Sequence, residues 1–164
     1  MVKQEIVVGL DESASARQAL RWAANYAERT RYVLRAVHAL SWPLGVTDGV
    51  ADPKESRDLS PDRIEAIYRA SITRVFDEIH PRPDWLFQFA KGDAGPVLVR
   101  QSRDASLLVV GTPEHVGLGR LIAGSVAHYC VSHATCPVVV IPAAPRHVEI
   151  PAQHHQLATN GALS

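Results

Sequence analysis

The residues best suited to chemistry lie in the glycine-rich segment GTPEHVGLGRLIAGS, residues 111–125. Glycine lets the backbone approach a ligand closely, and Gly124 and Ser125 stand directly before a helical pattern. The free amides and the dipole at the start of a helix favour an anion such as phosphate. The same two residues could instead form only a turn and a helix N-cap, so both interpretations stay open.

Two common phosphate-binding patterns are incomplete in this segment. The stretch GRLIAGS, residues 119–125, has the spacing of a P-loop but lacks the lysine that contacts the outer phosphates. A dinucleotide-binding pattern that starts at Gly117 and Gly119 needs a third glycine where Ile122 stands. Neither a P-loop NTPase nor a dinucleotide-binding protein is therefore indicated.

Alternating strand and helix patterns must position these residues. They predict an α/β fold, a doubly wound five-stranded parallel sheet with helices on both faces. The predicted strands are residues 4–10, 32–38, 85–90, 107–110 and 138–141. The predicted helices follow Asp11, run over 61–80 and 95–103, and follow Ser125. Val126, Tyr129, Cys130 and His133 share the apolar face of the last helix.

A ligand of such a sheet binds beyond the carboxyl ends of its strands, where the strand order reverses. With the first strand central, Asp11 leaves the first strand at that point and Gly111 leaves the fourth. Both residues are therefore predicted to reach one crevice. Asp11 is either a helix-capping carboxylate or a ligand contact, and the sequence leaves this choice open.

The length of 164 residues, 46% of them apolar, predicts one domain over residues 1–142. Residues 41–59 form a connection longer than usual, which indicates a lid or a disordered loop. Residues 143–164 are small, polar and aperiodic, and predict a disordered tail. Lys plus Arg equals Asp plus Glu at 17 each, which argues against non-specific nucleic-acid or membrane binding.

No apolar run approaches the length of a membrane span, and the first residues lack a signal-peptide pattern, so a cytoplasmic protein is expected. Cys130 and Cys136 are predicted to be reduced core residues. A zinc site built from His128, Cys130, His133 and Cys136 is disfavoured, because helical spacing separates His128 from the apolar face.

Several segments together resemble the universal stress protein family over residues 3–142. IVVGLDESASARQALRWAA resembles its opening strand and helix, KGDAGPVLV the run into its third helix, and ASLLVVGT with SHATCPVVVIP its last two strands. Nucleotide-binding members carry a glycine, two residues, a glycine, nine residues, then a glycine with serine or threonine. Gly111, Gly124 and Ser125 match this pattern, whereas Glu114 replaces the second glycine.

The resemblance implies a Rossmann-like fold, ATP or another adenine nucleotide as cofactor, and Mg²⁺ as a possible companion. It implies that Asp11 holds the ribose and that the backbone around Val37 and His38 meets adenine. It also implies that Thr112, Gly124 and Ser125 face the phosphates. Family members pair through their fifth strands, which implies a homodimer through Val138–Ile141.

Glu114 and Pro113 predict weakened phosphate binding. A carboxylate about 5 Å from a phosphate charge, at an effective dielectric constant near 20, would cost roughly 3 kcal/mol per charge pair. Pro113 removes one amide donor, and Glu12 adds a carboxylate beside Asp11 where the family commonly has glycine. As an alternative, Glu114 is a metal ligand that bridges to phosphate through Mg²⁺.

The sequence thus predicts a stress-response regulatory protein that senses an adenine nucleotide and acts on an unknown protein partner. The alternative is a dimeric scaffold of the same fold that binds no nucleotide. A slow ATPase is less favoured, because the loop has no lysine and no general base or activated nucleophile is evident.

Overall fold

The computed structural model describes residues 3–41, 61–112 and 125–143. In chain order these form β1 (Lys3–Gly9), α1 (Ala14–Thr30), β2 (Val33–Leu40), α2 (Pro61–Asp77), β3 (Leu86–Lys91), α3 (Ala94–Gln101), β4 (Ala105–Thr112), α4 (Ser125–His133) and β5 (Val138–Pro142). The strands form one parallel sheet in the order β3-β2-β1-β4-β5. The predicted fold class is confirmed, with β1 at the centre.

Parts of three predictions lie outside the described residues. They are residues 42–59 of the predicted long loop, residues 144–164 of the predicted tail, and residues 113–124 of the glycine-rich segment, which include Pro113, Glu114 and Gly124. None of the described helices combines the length and the hydropathy that a bilayer crossing requires.

Helices cover both faces of the sheet because the strands are apolar on both sides. Along β1, Ile6 and Val8 belong to a core cluster that includes α1 and α2, whereas Val7 belongs to a second cluster with α3 and α4. All three side chains are fully buried. Successive side chains of a strand point to opposite faces, so one run of valine and isoleucine supports two helical layers.

Helix α1 begins with a side-chain cap and packs through small residues. Ser13 is the N-cap, and its Oγ accepts a hydrogen bond from the Ala16 N–H at 3.1 Å. Ala19, Ala23 and Ala27 are fully buried. Alanine at these positions lets the helix lie close to the sheet, which places its first turn beside the ends of β1 and β4.

The amino-terminal ends of the strands are tied together by Arg35. Its guanidinium donates to both carboxylate oxygens of Glu5, at 3.0 and 2.9 Å, and the remaining N–H groups donate to Gln88 and Gln101. The side chains of Arg35 and Glu5 are only 13% and 14% exposed. This network, called here the Arg35 network, joins β1, β2, β3 and α3.

Some predicted boundaries and faces were wrong. Strand β2 continues past His38 to Leu40, because its end pairs with β3 through the backbone, which side-chain patterns do not report. In α2, Ile67 and Tyr68 of the predicted apolar face are exposed. His133 was also assigned wrongly to the apolar face of α4: it is exposed and stacks on Tyr129 with ring centroids 4.1 Å apart.

Candidate functional site

A cavity of about 380 Å³ lies at the carboxyl ends of the central strands. It is bounded by the ends of β1, β2 and β4 and by the first turns of α1, α3 and α4. Its volume lies within the range of small-molecule sites. It stands where the strand order reverses, between β1 and β4, as the sequence predicts.

Asp11 lies at this cavity and also stabilises the loop before α1. Its Oδ1 accepts a hydrogen bond from the Ser13 N–H at 2.8 Å. The residue is exposed, and it follows Leu10 at the end of the central strand. One carboxylate oxygen therefore holds the loop, while the other has no hydrogen-bond partner among the described residues. The two interpretations left open by the sequence are compatible with each other.

Gly111 lines the cavity, and a packing constraint explains why it is glycine. A Cβ atom at this position would lie 2.6 Å from the Ser15 carbonyl carbon, 2.7 Å from its oxygen and 2.8 Å from the Ala16 nitrogen. These are backbone atoms, which cannot rotate away as a side chain can. Gly111 thus allows β4 to end against the first turn of α1.

Near the end of β2, one pair of backbone groups has no backbone hydrogen-bond partner in the described part of the chain. The Val37 C=O accepts a hydrogen bond from the Leu10 N–H at 2.9 Å, and the Leu40 C=O accepts one from the Gly92 N–H at 2.8 Å. Backbone groups of successive residues point to alternate sides of a strand, so those of Ala39 point towards β1. Since β1 ends at Gly9, the Ala39 N–H and C=O lie on the side of β2 that borders the cavity, without a backbone partner among the described residues.

Sequence reasoning missed Ala39, although it named the neighbouring Val37 and His38. Both named residues line the cavity. However, the Val37 C=O is already bonded to Leu10, and the backbone of His38 points towards β3, where His38 pairs with Phe89. The side chain of His38 bonds the Leu10 carbonyl oxygen through Nδ1 at 2.7 Å. Only the register of β1 against β2 identifies Ala39.

The residues expected near phosphates are placed less completely. Thr112 ends β4, pairs with Pro142 and is not among the cavity-lining residues of the described chain. Ser125 begins α4, and the next two residues, Val126 and Ala127, line the cavity. The start of α4 therefore lies where the sequence places it.

The lining carries little charge. Asp11 and His38 are its ionisable side chains, and no lysine or arginine is found among the lining residues within 3–41, 61–112 and 125–143. The first turns of α1, α3 and α4 supply backbone amides and the positive ends of helix dipoles instead. The described part of the lining therefore offers an anion backbone amides and helix dipoles rather than a cationic side chain.

Both cysteines were predicted to be core residues, which holds for Cys130, whereas Cys136 is half-buried. Cys130 is fully buried, and Cys136 packs against the same cluster. Burial, assisted by the nearby Cys136, raises the pKa of the Cys130 thiol to about 11, so it stays protonated. Across the described part of the chain, no group of three or more His, Cys, Asp or Glu side chains could hold a metal ion.

Comparison with known proteins gives a decisive match. The model of the universal stress protein family matches residues 3–142. The chain belongs to the universal stress protein family. Universal stress protein Rv2623 of Mycobacterium tuberculosis is 36% identical over 149 residues, which cover 83% of this chain and 46% of that protein. This universal stress protein thus spans about half the length of the curated relatives it matches.

Solved structures of the family share the fold. A universal stress protein in complex with cAMP is 24% identical, with a TM-score of 0.57, covering 88% of this chain and 100% of that one. The universal stress protein from Archaeoglobus fulgidus in complex with dAMP is also 24% identical, with a TM-score of 0.55, covering 86% and 99%. At this identity, the likeness establishes the shared fold.

Proposed function

We propose that this universal stress protein is a regulatory protein that binds an adenine nucleotide, with a preference for one phosphate over three. The observation that carries the proposal is the cavity at the switch point, which combines the backbone pair of Ala39 with the Asp11 carboxylate. The cytoplasmic placement expected from the sequence is part of this proposal.

The Ala39 backbone suits an adenine base. The edge of adenine carries an acceptor, N1, beside a donor, the N6 amino group, and bases are commonly read along this edge. The N–H and C=O of one residue offer the complementary donor and acceptor on the same side of a strand. Val37 and His38 then contribute to the cavity wall next to the Ala39 backbone pair.

Asp11 suits a ribose. A carboxylate accepts hydrogen bonds from hydroxyl groups, and one Asp11 oxygen is held by the Ser13 N–H, while the other has no partner in the described part of the chain. The bonded oxygen fixes the direction of the carboxylate before a ligand arrives, which lowers the entropic cost of binding.

The phosphate end favours a small charge. The described lining offers helix amides but no cation, and Gly111, Thr112, Gly124 and Ser125 remain the proposed phosphate neighbours. Glu114 and Pro113 are proposed to disfavour the further phosphates of ATP by repulsion and by the lost amide. The two solved structures that hold cAMP and dAMP support the binding of an adenine nucleotide. Mg²⁺ at Glu114 would relieve the repulsion.

Two further parts of the proposal concern assembly. β5 is an edge strand of the sheet, and Val140 is exposed on it, which supports a homodimer through Val138–Ile141. An edge strand offers unpaired backbone groups to a second strand. A regulatory protein partner would then respond to the occupied dimer. A scaffold that binds no nucleotide is the alternative, and a slow ATPase is less favoured.

Calorimetric titration of the purified chain tests the proposal. AMP, cyclic AMP, ADP and ATP are titrated with and without Mg²⁺, after any nucleotide that co-purifies has been removed. We expect AMP or cyclic AMP to bind more tightly than ATP. In Glu114→Gly, the difference between these affinities should be smaller. Tighter binding of ATP than of AMP by the unchanged protein contradicts the single-phosphate preference. If neither the unchanged protein nor Glu114→Gly binds a nucleotide, the scaffold function is supported.

A matched pair of variants tests the site. Asp11→Asn keeps an acceptor for the Ser13 N–H but removes the charge, whereas Glu12→Gln makes the same change at an exposed neighbour that does not line the cavity. Loss of a hydrogen bond to a charged group costs about 1.5–3 kcal/mol. Asp11→Asn should therefore weaken AMP binding at least roughly tenfold, with little change for Glu12→Gln.

A further inference from the structure

His38 holds the carbonyl group of Leu10 by its side chain. The distance from His38 Nδ1 to Leu10 O is 2.7 Å. A carbonyl oxygen only accepts hydrogen bonds, so Nδ1 must carry the proton. The imidazole is half-buried, and its edge-to-face contact with Phe89, with ring centroids 5.6 Å apart, fixes the ring orientation.

This contact occurs where the pairing of β1 with β2 ends. The Leu10 N–H donates to the Val37 C=O, as in a regular parallel ladder. In such a ladder the next hydrogen bond runs from the Ala39 N–H to the Leu10 C=O. Among the described residues that bond is not formed, and His38 Nδ1 occupies the Leu10 oxygen instead.

We infer that His38 is a positioning residue that keeps the backbone of Ala39 open for the ligand's base. By bonding Leu10 O, it holds this carbonyl group in an orientation in which it does not accept a hydrogen bond from the Ala39 N–H. The inference rests on the proposed function for its ligand. Its structural part, an Ala39 N–H without a strand partner, can be measured in the ligand-free protein.

Side-chain geometry explains why histidine suits this task. Nδ1 is close to the backbone, so it reaches the neighbouring strand, while the flat ring packs against Phe89. Phenylalanine has a similar shape but no donor. Asparagine places its amide nitrogen near the position of Nδ1, whereas the longer glutamine places it near Nε2. Substitution of His38 by these three residues tests the effect of the hydrogen-bond donor separately from that of the side-chain shape.

The experiment compares His38→Phe, His38→Gln and His38→Asn with the unchanged protein. Hydrogen exchange of the Ala39 amide is measured by NMR without ligand, and AMP affinity is measured by calorimetry. We expect fast exchange in the unchanged protein and in His38→Asn. In His38→Phe and His38→Gln, pairing with Leu10 should slow exchange tenfold or more and weaken AMP binding roughly three- to tenfold.

The two readouts separate this inference from the proposed function. If the unchanged protein binds no AMP, the proposed function fails, while the exchange rates still decide whether His38 keeps Ala39 unpaired. Equal exchange rates in the unchanged protein and in His38→Gln overturn the inference. Slow exchange in His38→Asn also overturns it, because this variant retains the donor. Should His38→Phe fail to fold, the comparison of Asn with Gln remains sufficient.

Discussion

The two ends of the sheet differ in how completely the chain satisfies its own polar groups. At the amino-terminal ends of the strands, the Arg35 network directs all of its guanidinium N–H groups to partners within the chain. At the carboxyl ends, the Ala39 backbone pair and one oxygen of Asp11 face a cavity. The first end is closed and structural, and the second is open to a ligand.

The difference shows that a polar residue in a fold acquires its role from its partners. Arg35 is the kind of residue that commonly binds phosphate, yet here its donors are fully used inside the protein. Ala39 has no functional side chain, yet its backbone is available at the cavity. Changes at the closed end should therefore alter stability, and changes at the open end should alter binding.

The largest effect is expected from Arg35→Met. Removing the guanidinium leaves the Glu5 carboxylate largely buried without its partner, and breaking such a pair costs about 3–5 kcal/mol. We expect the free energy of unfolding, measured by chemical denaturation, to fall by about 3 kcal/mol. AMP affinity of the folded fraction should remain unchanged, because Arg35 lies at the end of the sheet away from the cavity.

A double variant is the control for this prediction. Arg35→Met combined with Glu5→Leu removes both charges, so no unpaired carboxylate remains, and most of the lost stability should return. If the double variant loses as much free energy of unfolding as Arg35→Met and Glu5→Leu lose together, packing of the long side chains explains the effect better than the charge does.

Gly111→Ala should have the next largest effect, and it concerns both stability and binding. The added methyl group would overlap backbone atoms of Ser15 and Ala16, so the first turn of α1 must shift. Overpacking of this kind typically costs about 1–3 kcal/mol. AMP binding should weaken as well, because Asp11 and Ser13 precede this turn at the cavity.

Gly9→Ala provides the comparison for Gly111→Ala. A Cβ at Gly9 would meet the Leu98 side chain, with Cδ1 at 2.8 Å, and the end of that side chain can rotate away. A smaller loss of stability is therefore expected than for Gly111→Ala. If both variants lose the same stability, a clash with backbone atoms costs no more than a clash with a side chain at this end of the sheet.

The sequence predicted the fold and the position of the cavity because both depend on local patterns. Apolar strands alternating with helices determine the sheet, and Asp11 and Gly111 mark the ends of its central strands. Ala39 could not be found in this way, since its openness depends on where β1 ends relative to β2. The packing role of Gly111 depends on Ser15, a contact between distant parts of the chain that residue spacing does not reveal.

Ser13→Ala should cause a smaller loss, at the open end. It removes the side-chain acceptor for the Ala16 N–H, and the loss of an N-cap typically costs about 1 kcal/mol. Ser13→Asp retains an acceptor and should recover most of the stability in thermal unfolding. If Ser13→Ala is as stable as the unchanged protein, water satisfies the freed amide, and this end of the sheet tolerates open backbone groups even more readily.

Cys130 marks where the open region stops, and the prediction for it concerns the reactivity of its thiol rather than ligand binding. Ala127 lines the cavity, whereas Cys130, one turn further along α4, is fully buried. With a pKa of about 11, its thiol has roughly a thousandth of its population as reactive thiolate at pH 8. In Cys136→Ser, a thiol reagent should therefore label Cys130 only as fast as the protein unfolds.

Cys130→Ala is the matched variant, in which the half-buried Cys136 should react faster under native conditions. The raised pKa of Cys130 also makes the free energy of unfolding depend on pH. The unfolded chain loses the thiol proton near pH 9, whereas the folded chain keeps it to about pH 11. Stability should therefore fall as pH rises through this interval, and less so in Cys130→Ala. If the reagent labels Cys130 in the folded protein as fast as it labels Cys136, solvent reaches past Ala127. The solvent-accessible region would then extend further along α4 than the cavity lining indicates.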